Sequence, residues 1–534
     1  MKLPTHSFVL AVLGCLLFWL AIPPVDFSGA AWLVAAPWGL LVRMPVLAGR
    51  RPYLQIYLAY FLFWLAALYW LTLPHPATAI GWVALSFYLA WYLPAFVAIS
   101  RYLVHRGHFS PVWVLPTVWV ALELVQSYLL TGFMLVLLGQ TQYRWITLIQ
   151  LADVAGTFGI SFLVVLVGAA VSYLLPTADS KLNWRPLIAA AAAVAVALGY
   201  GYWRTQGEYL QPGPKVALIQ GNIDTELKAD PAKNDRILQD YLRLTARALR
   251  EGRELDLIVW PETMFRYTWF TFADDYVTPK ETPYTSGALE RASQQAVENV
   301  VLAAGTPMLL GIDRYHQTAD GARRYNSALF FDSDGKLLGD YAKMHLVMFG
   351  EYVPFADRVP WLQGLTPLPS SSSAGERATA TRVGNFCYSP SICFESTLSR
   401  VVRRLVNAAS NTPDSCEPQI LVNVTNDGWF WGSSELDLHL ICGVFRAVEC
   451  RKPLVIAANT GFSGWIDSDG RIVRRGKRRA EDVIIATPQP DTRRSFYLAN
   501  GDVFALFCLG FSLLSVGAAA LKSRRTNSPP RAST

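Results

Sequence analysis

Two textures divide this 534-residue chain. Up to about residue 205, apolar runs almost free of charge cover 8–22, 28–48, 54–73, 78–104, 111–130, 158–176 and 186–204, and another covers 503–521. Each is near the ~20 residues that a helix needs to cross a hydrocarbon layer. Residues 213–490 read differently, with short β-rich runs alternating with amphipathic helical ones, the pattern of an α/β domain. The first apolar run resembles a signal-peptide core, but it lacks a convincing small-x-small cleavage site and further spans follow at once, so it reads as the first transmembrane helix. The pattern therefore predicts a seven-span bundle over 1–205, an α/β domain over 213–490, an eighth span over 501–521 and a basic tail over 522–534.

Inside the α/β segment, 215–220 and 255–260 read as buried strands with an amphipathic helix over 234–250 between them. A helix over 288–302 precedes a strand over 308–312. Asp332-Ser333-Asp334-Gly335 and Asp467-Ser468-Asp469-Gly470 are two hairpin turns of one kind, each ending on a glycine free to take positive φ. A Ser-rich stretch, 370–375, has no core-forming pattern and is expected to be a mobile loop where a lid could sit.

Composition agrees with a membrane protein: 52% of residues are hydrophobic and 16% charged. The net charge of +7 comes without a basic helix or an aromatic RNA-binding signature, which argues against nucleic acid. Basic residues instead mark alternate loops: Arg43, Arg50 and Arg51, then Arg101 and Arg106, then Lys181 and Arg185, and finally Lys522, Arg524 and Arg525. By the positive-inside rule both termini are expected in the cytoplasm and the α/β domain on the opposite side, the periplasm of a bacterial inner membrane. Glu123 would be costly against lipid, so it should face the bundle, and 131–142 is too irregular for a plain span and reads as re-entrant or interfacial. Seven cysteines without regular spacing suggest neither a disulfide framework nor a zinc site, and no histidine pair has ligand spacing, so no metal is expected. His345 and His439 read as structural. Cys387, Cys442 and Cys450 are expected to pack in the core, although a disulfide, with Cys416 also available, is chemically open on an oxidising side.

Three polar residues follow predicted strands: Glu262 after Val259-Trp260-Pro261, Lys343 after Tyr341-Ala342, and Cys393. Around the cysteine the expected order is a strand to Tyr388, a small polar turn at Ser389-Pro390-Ser391, and then a helix, so that Cys393 sits on an elbow. Ligands of α/β folds gather at the carboxyl ends of strands, where residues far apart in sequence converge. A carboxylate can take a thiol proton, and an ammonium with a backbone N–H can stabilise the oxyanion formed by attack on an acyl carbonyl. Each residue taken singly is explained as well by a strand-end cap or an exposed ion pair.

The motifs Trp260-Pro261-Glu262, Lys343-Met344-His345-Leu346-Val347, Phe349-Gly350-Glu351-Tyr352-Val353-Pro354 and Ile392-Cys393-Phe394-Glu395 resemble the Glu-Lys-Cys motifs of the nitrilase, or carbon-nitrogen hydrolase, superfamily. With spans on both sides, and with Tyr325-Asn326-Ser327, Asn426-Asp427-Gly428-Trp429-Phe430 and Asn459-Thr460-Gly461 in order, the whole chain resembles the apolipoprotein N-acyltransferase family. The resemblance implies a four-layer α-β-β-α sandwich with Glu262 as base, Lys343 and the Phe394 N–H as oxyanion donors, Cys393 as nucleophile, and Glu351 and Glu395 as supporting carboxylates. It further implies a phospholipid acyl donor, expected to be phosphatidylethanolamine, a diacylglyceryl-cysteine lipoprotein as acceptor, and no cofactor. Departures from the family pattern are Phe394 for Tyr, Ala229 for Trp, Met348 for Pro and an inserted Trp431. The rivals are a membrane-tethered amidase acting on a small amide, and a lipoprotein-binding protein with a degenerate site.

Overall fold

The computed structural model describes residues 6–177, 182–279, 282–354, 358–359, 371–410 and 416–526. It divides into two compact units: residues 1–71, 79–206 and 500–534 form the first, and residues 72–78 and 207–499 the second.

The first unit is helical. Among the described residues, five helices are long and apolar enough to cross a membrane: Thr78–His105, Pro111–Thr131, Ala152–Ser172, Arg185–Arg204 and Val503–Lys522. The first of these is broken between Leu89 and Tyr92, just ahead of Pro94, which cannot donate into a preceding turn. Three of the expected spans are shorter helices, Ser7–Ala21, Ala31–Arg43 and Pro52–Ala67, of 15, 13 and 16 residues. The second stops at Met44 because Pro45 follows it. Glu123 is turned inward, 4% exposed, and its Oε1 accepts from Trp119 Nε1 at 2.9 Å and from the Leu138 N–H at 3.0 Å. Leu138 belongs to the irregular stretch, which consists of 3₁₀ turns and extended chain and is mostly buried.

Among its described residues the second unit contains thirteen strands, taken in chain order. β1 to β6 are Val216–Gln220, Leu257–Val259, Phe265–Phe272, Met308–Thr318, Gly321–Phe331 and Leu337–Ala342. β7 to β13 are Thr381–Val383, Phe386–Ile392, Ile420–Thr425, Leu454–Ala458, Gly464–Ile466, Ile472–Arg475 and Asp482–Ala486. They make two sheets, one of seven strands in the order β13-β1-β2-β4-β5-β6 with β3 also on β4, and one of six in the order β12-β11-β10-β9-β8-β7. β1–β2–β4 and β8–β9–β10 pair in parallel, and their buried apolar runs are those expected of strands covered on both faces. Helices Asn234–Gly252 and Ser286–Ala304 cover the first sheet through Tyr241, Leu244, Ala248, Val297, Val300 and Val301. Helices Ser399–Ala409 and Glu435–Cys450 lie on the second sheet, and β1 meets β10 between the sheets, giving layers in the order helix, sheet, sheet, helix. Both Asp-Ser-Asp-Gly turns close antiparallel hairpins, with Gly335 at φ 83° and Gly470 at φ 87°.

Three local expectations differ from the structure. Ser389-Pro390-Ser391 is strand, not turn: Pro390 pairs with Val422 of β9, and on its other side β7 reaches only to Tyr388, so no ladder bond is missed. Of the Ser-rich loop, 370 lies outside the described residues; the part from Ser372 to Gly375 is tied down, its N–H groups donating to the carbonyls of Glu351, Arg324 and Lys343 at 2.9, 2.7 and 2.8 Å. Cys387 is not a free core thiol but is bridged to Cys416, with Cα atoms 5.9 Å apart, whereas Cys442 and Cys450 are buried and free. The sequence hides this bridge because its two halves lie 29 residues apart with no motif around them.

Unfolded but unreduced protein is thus expected to titrate five thiols out of seven cysteines. Cys416→Ser should lower stability by about 3 kcal/mol through the freed loop, read as a lower thermal midpoint; a count of seven thiols would show that the bridge does not form.

Candidate active site

Each of the three residues singled out stands just past the carboxyl end of a strand. Lys343 directly follows β6, Cys393 directly follows β8, and Glu262 lies three residues beyond β2. The Trp260-Pro261-Glu262 turn can lie flat on β4 because Gly311 is there: a Cβ at that position would come within 2.2 Å of the Pro261 carbonyl oxygen.

Cys393 opens a 3₁₀ turn, Cys393–Thr397, and only then does the helix Ser399–Ala409 begin. Its φ of 54° places a non-glycine residue in the left-handed region, the geometry of a nucleophile elbow. The thiol rests protonated. Burial pushes its pKa up and the Glu262 carboxylate pushes it further, with Lys343 pulling the other way.

Glu262 is 8% exposed and fully engaged. Asn326 Nδ2 donates to its Oε1 at 2.6 Å, and the Asn426 N–H donates to its Oε2 at 2.9 Å. Burial raises its pKa above the ordinary carboxylate range, against the pull of Lys343. Such a carboxyl is better matched than an exposed one to proton exchange with a thiol.

Lys343 is 1% exposed. Its Nζ donates to Glu351 Oε1 at 2.8 Å and stands 3.9 Å from Glu262 Oε1. Burial alone would disfavour the ammonium, but the Glu351 and Glu262 carboxylates lift its pKa above that of ordinary lysine. Glu351 is fixed by the Val347 N–H, which donates to its Oε2 at 2.9 Å. Glu351 thus carries most of the neutralisation and leaves Glu262 available to take a proton.

Glu395 is fully buried, and its oxygens accept from Tyr341 OH, Met344 N, His345 N and Ile392 N at 2.7–2.9 Å. Phe394 is half-buried and stacks its ring on His345 at 6.4 Å between centroids.

Several contacts at the site were not legible beforehand. Asn326, Asn426 and Asn459 stand in quoted motifs without an assigned task, yet the first two hold Glu262. Asn459 Nδ2 donates to Asn426 Oδ1 at 2.9 Å and to the Ile223 carbonyl at 2.7 Å. Lys228, beside exposed Ala229, donates to Thr263 Oγ1, and burial lowers its pKa to about 8 although Glu262 opposes this. Met348 bridges to Tyr352, and Trp431 is a left-handed, half-exposed residue under the Arg479 guanidinium. The ligand atoms of Asp427, Glu435 and His439 lie within 4.8 Å of one another. Both ring nitrogens of His439 are hydrogen-bonded within this cluster, to Ser396 and to Asp427.

Comparison with known proteins follows the same outline. The carbon-nitrogen hydrolase family profile matches residues 215–497, and that of the apolipoprotein N-acyltransferase N-terminal domain matches residues 14–170. The apolipoprotein N-acyltransferase of Geobacter metallireducens is 32% identical over 540 residues, covering 98% of this chain and 96% of its own. Those of Rhodopirellula baltica and Allorhizobium ampelinum are 28% and 31% identical, covering 90% and 88% of this chain and 92% and 87% of theirs.

Removing the Glu351 carboxylate would leave a buried ammonium whose nearest carboxylate is 3.9 Å away. Glu351→Ala should therefore cost about 3 kcal/mol, measured as a fall in thermal midpoint; an unchanged midpoint would mean that Lys343 is compensated elsewhere. Because folding raises the lysine pKa, the stabilisation is present below the unfolded value of about 10.4 and is lost as pH climbs through the higher folded one.

Proposed function

The chain belongs to the apolipoprotein N-acyltransferase family, and on that premise we propose that it moves an acyl chain from a phospholipid to the α-amino group of a lipoprotein by way of a thioester on Cys393. The observation that supports this reading is that Glu262 and Lys343 stand 3.9 Å apart at strand ends while Glu395 ties the residue before Cys393 to the two residues after Lys343.

In the first half-reaction Glu262 takes the thiol proton as Sγ attacks the donor's ester carbonyl and a C–S bond forms. The oxyanion is met by the Lys343 ammonium and the Phe394 N–H. Collapse breaks the ester C–O bond, Glu262 returns the proton to the glycerol oxygen, and a lysophospholipid leaves. In the second half-reaction the neutral α-amine of a diacylglyceryl-cysteine attacks the thioester carbonyl. Glu262 takes the amine proton, the C–S bond breaks, and the proton goes back to sulfur. An amide replaces a thioester, so the exchange runs downhill without ATP. Phosphatidylethanolamine is the expected donor.

The protein is membrane-bound. We place it in the bacterial inner membrane with both termini cytoplasmic and the catalytic unit in the periplasm. The loop charges support this orientation, and the Cys387–Cys416 bridge fits an oxidising compartment. An eight-span count is supported by the helices Ser7–Ala21, Ala31–Arg43 and Pro52–Ala67, which match the first three apolar runs beside the five longer helices. Two lipid-borne substrates explain the membrane unit, since withdrawing an acyl chain from the bilayer costs ~0.8 kcal/mol per CH₂.

Purified full-length protein given phosphatidylethanolamine should gain one acyl mass that hydroxylamine removes, and Cys393→Ala should gain none. Continuous release of free fatty acid without an adduct would favour a hydrolase instead. The rate of adduct formation should fall as pH drops through the pKa of Glu262, which burial sets above the usual carboxylate range, because only the ionised form accepts the thiol proton. Glu262→Gln should abolish the adduct at every pH.

A further inference from the structure

Behind the nucleophile runs a second hydrogen-bonded chain that the steps above do not use. Ser396 is 2% exposed; its Oγ donates to the Cys393 carbonyl at 3.2 Å and lies 2.7 Å from His439 Nε2. His439 Nδ1 lies 3.2 Å from Asp427 Oδ1, which also accepts from Thr425 Oγ1 at 2.7 Å. The order Ser-His-Asp is that of a hydrolase triad, but here the serine is buried and its proton is directed at a main-chain carbonyl. It is not placed to attack a substrate.

Counting protons links the state of the ring to the direction of the Ser396 bond. The Asp427 carboxylate can only accept, so Nδ1 carries a hydrogen. When Ser396 gives its one proton to the Cys393 carbonyl, it accepts from Nε2, which then carries a hydrogen as well. In that arrangement His439 is an imidazolium. Burial works against that charge, but Asp427, by charge and by hydrogen bond, and the Cys393 carbonyl raise the pKa above the usual histidine value. Glu435 on the same helix and Glu262 are the other acidic groups near the ring; the Cys393 thiol is neutral at rest.

The carbonyl this chain holds has a particular importance. The Cys393 C=O and the Phe394 N–H belong to one planar trans peptide, so they point in opposite directions. Ser396 and Asn423 Nδ2, the latter also at 3.2 Å, grip the carbonyl from behind. Gripping it aims the N–H forward.

We propose that His439 and Ser396 are positioning residues for acyl transfer: together they lock the Cys393–Phe394 peptide so that the Phe394 N–H faces the oxyanion. This rests on the acyltransferase reading above. When Nε2 loses its proton, the Ser396 hydroxyl turns to the ring and releases the carbonyl, so the lock weakens as pH rises through the pKa of His439.

The test uses the full chain in nanodiscs of phosphatidylethanolamine, with the single-turnover rate of acyl-Cys393 formation followed by intact mass from pH 6 to 9. Ser396→Ala and His439→Leu should each slow acylation about 100-fold at unchanged half-saturating lipid, the scale expected for a misaimed catalytic group. The double variant should be no slower than the worse single, because the two act as one chain. His439→Gln, which keeps a donor toward Ser396 but cannot titrate, should retain most of the rate and lose the alkaline decline of the unaltered protein. A normal rate in Ser396→Ala, or additive losses in the double variant, overturns the inference. Should His439→Leu fail to fold, Ser396→Ala and His439→Gln decide it. No adduct in the unaltered protein would instead overturn the acyltransferase reading and this inference with it.

Discussion

The site depends on a buried carboxylate that touches no substrate in the proposed chemistry. Glu395 lies one residue past Phe394, in the second sheet's connection, yet it accepts from Tyr341, Met344 and His345, which surround Lys343 at the end of the first sheet. It also accepts from the Ile392 N–H directly before the nucleophile. Burying a carboxylate is expensive, and burial does raise its pKa, but four donors offset much of that cost. The result is that ammonium and thiol, carried by different sheets, are held in register by one side chain. Glu262 makes the reciprocal tie, since it leaves the first sheet and accepts from the Asn426 N–H just after β9 of the second.

Within that frame the charges are divided unequally. Lys343 is 2.8 Å from Glu351 and 3.9 Å from Glu262, so the ammonium is neutralised mainly by a carboxylate outside the proposed proton-transfer path. Were the two distances reversed, Lys343 would hold Glu262 firmly ionised and a poor base. As it stands, burial dominates at Glu262 and its pKa is raised. The thiol is likewise raised, so in the proposed chemistry it stays neutral until a substrate carbonyl is present and its proton passes to Glu262 in step with attack. Holding Cys393 at φ 54° costs about 1–3 kcal/mol, and the surrounding hydrogen bonds keep it there.

The helical unit follows the rule that backbone groups in an apolar setting must be satisfied internally. Its irregular stretch obeys through side chains. Glu123 accepts the Leu138 N–H, Ser161 Oγ accepts the Gly139 N–H at 2.8 Å, and Gln140 both accepts from the Leu137 N–H and donates to the Met134 carbonyl. Gly139 matters here, because a Cβ would come within 2.6 Å of the Thr157 carbonyl oxygen and close the gap that lets the chain approach. The polar side chains named here thus serve as backbone partners for this stretch.

What could be read from the sequence were features carried by local pattern. Alternation and helical periodicity gave the two textures and the main strands and helices of the catalytic unit, and short motifs brought out Glu262, Lys343, Glu351, Cys393 and Glu395. Features set by distant partners escaped. Pro390 reads as a turn until one sees that β7 stops short of it, and Cys387 reads as a core thiol until Cys416 is brought within 5.9 Å. Asn459 and Asn426 are neighbours only because β10 pairs in parallel with β9. The second and third apolar runs extend past the helices they contain, Ala31–Arg43 and Pro52–Ala67. Hydropathy averages over Pro45, where the chain composition stays apolar but the backbone cannot remain helical. Composition reports which solvent a segment prefers, whereas the backbone hydrogen bonds it can form decide where each helix ends.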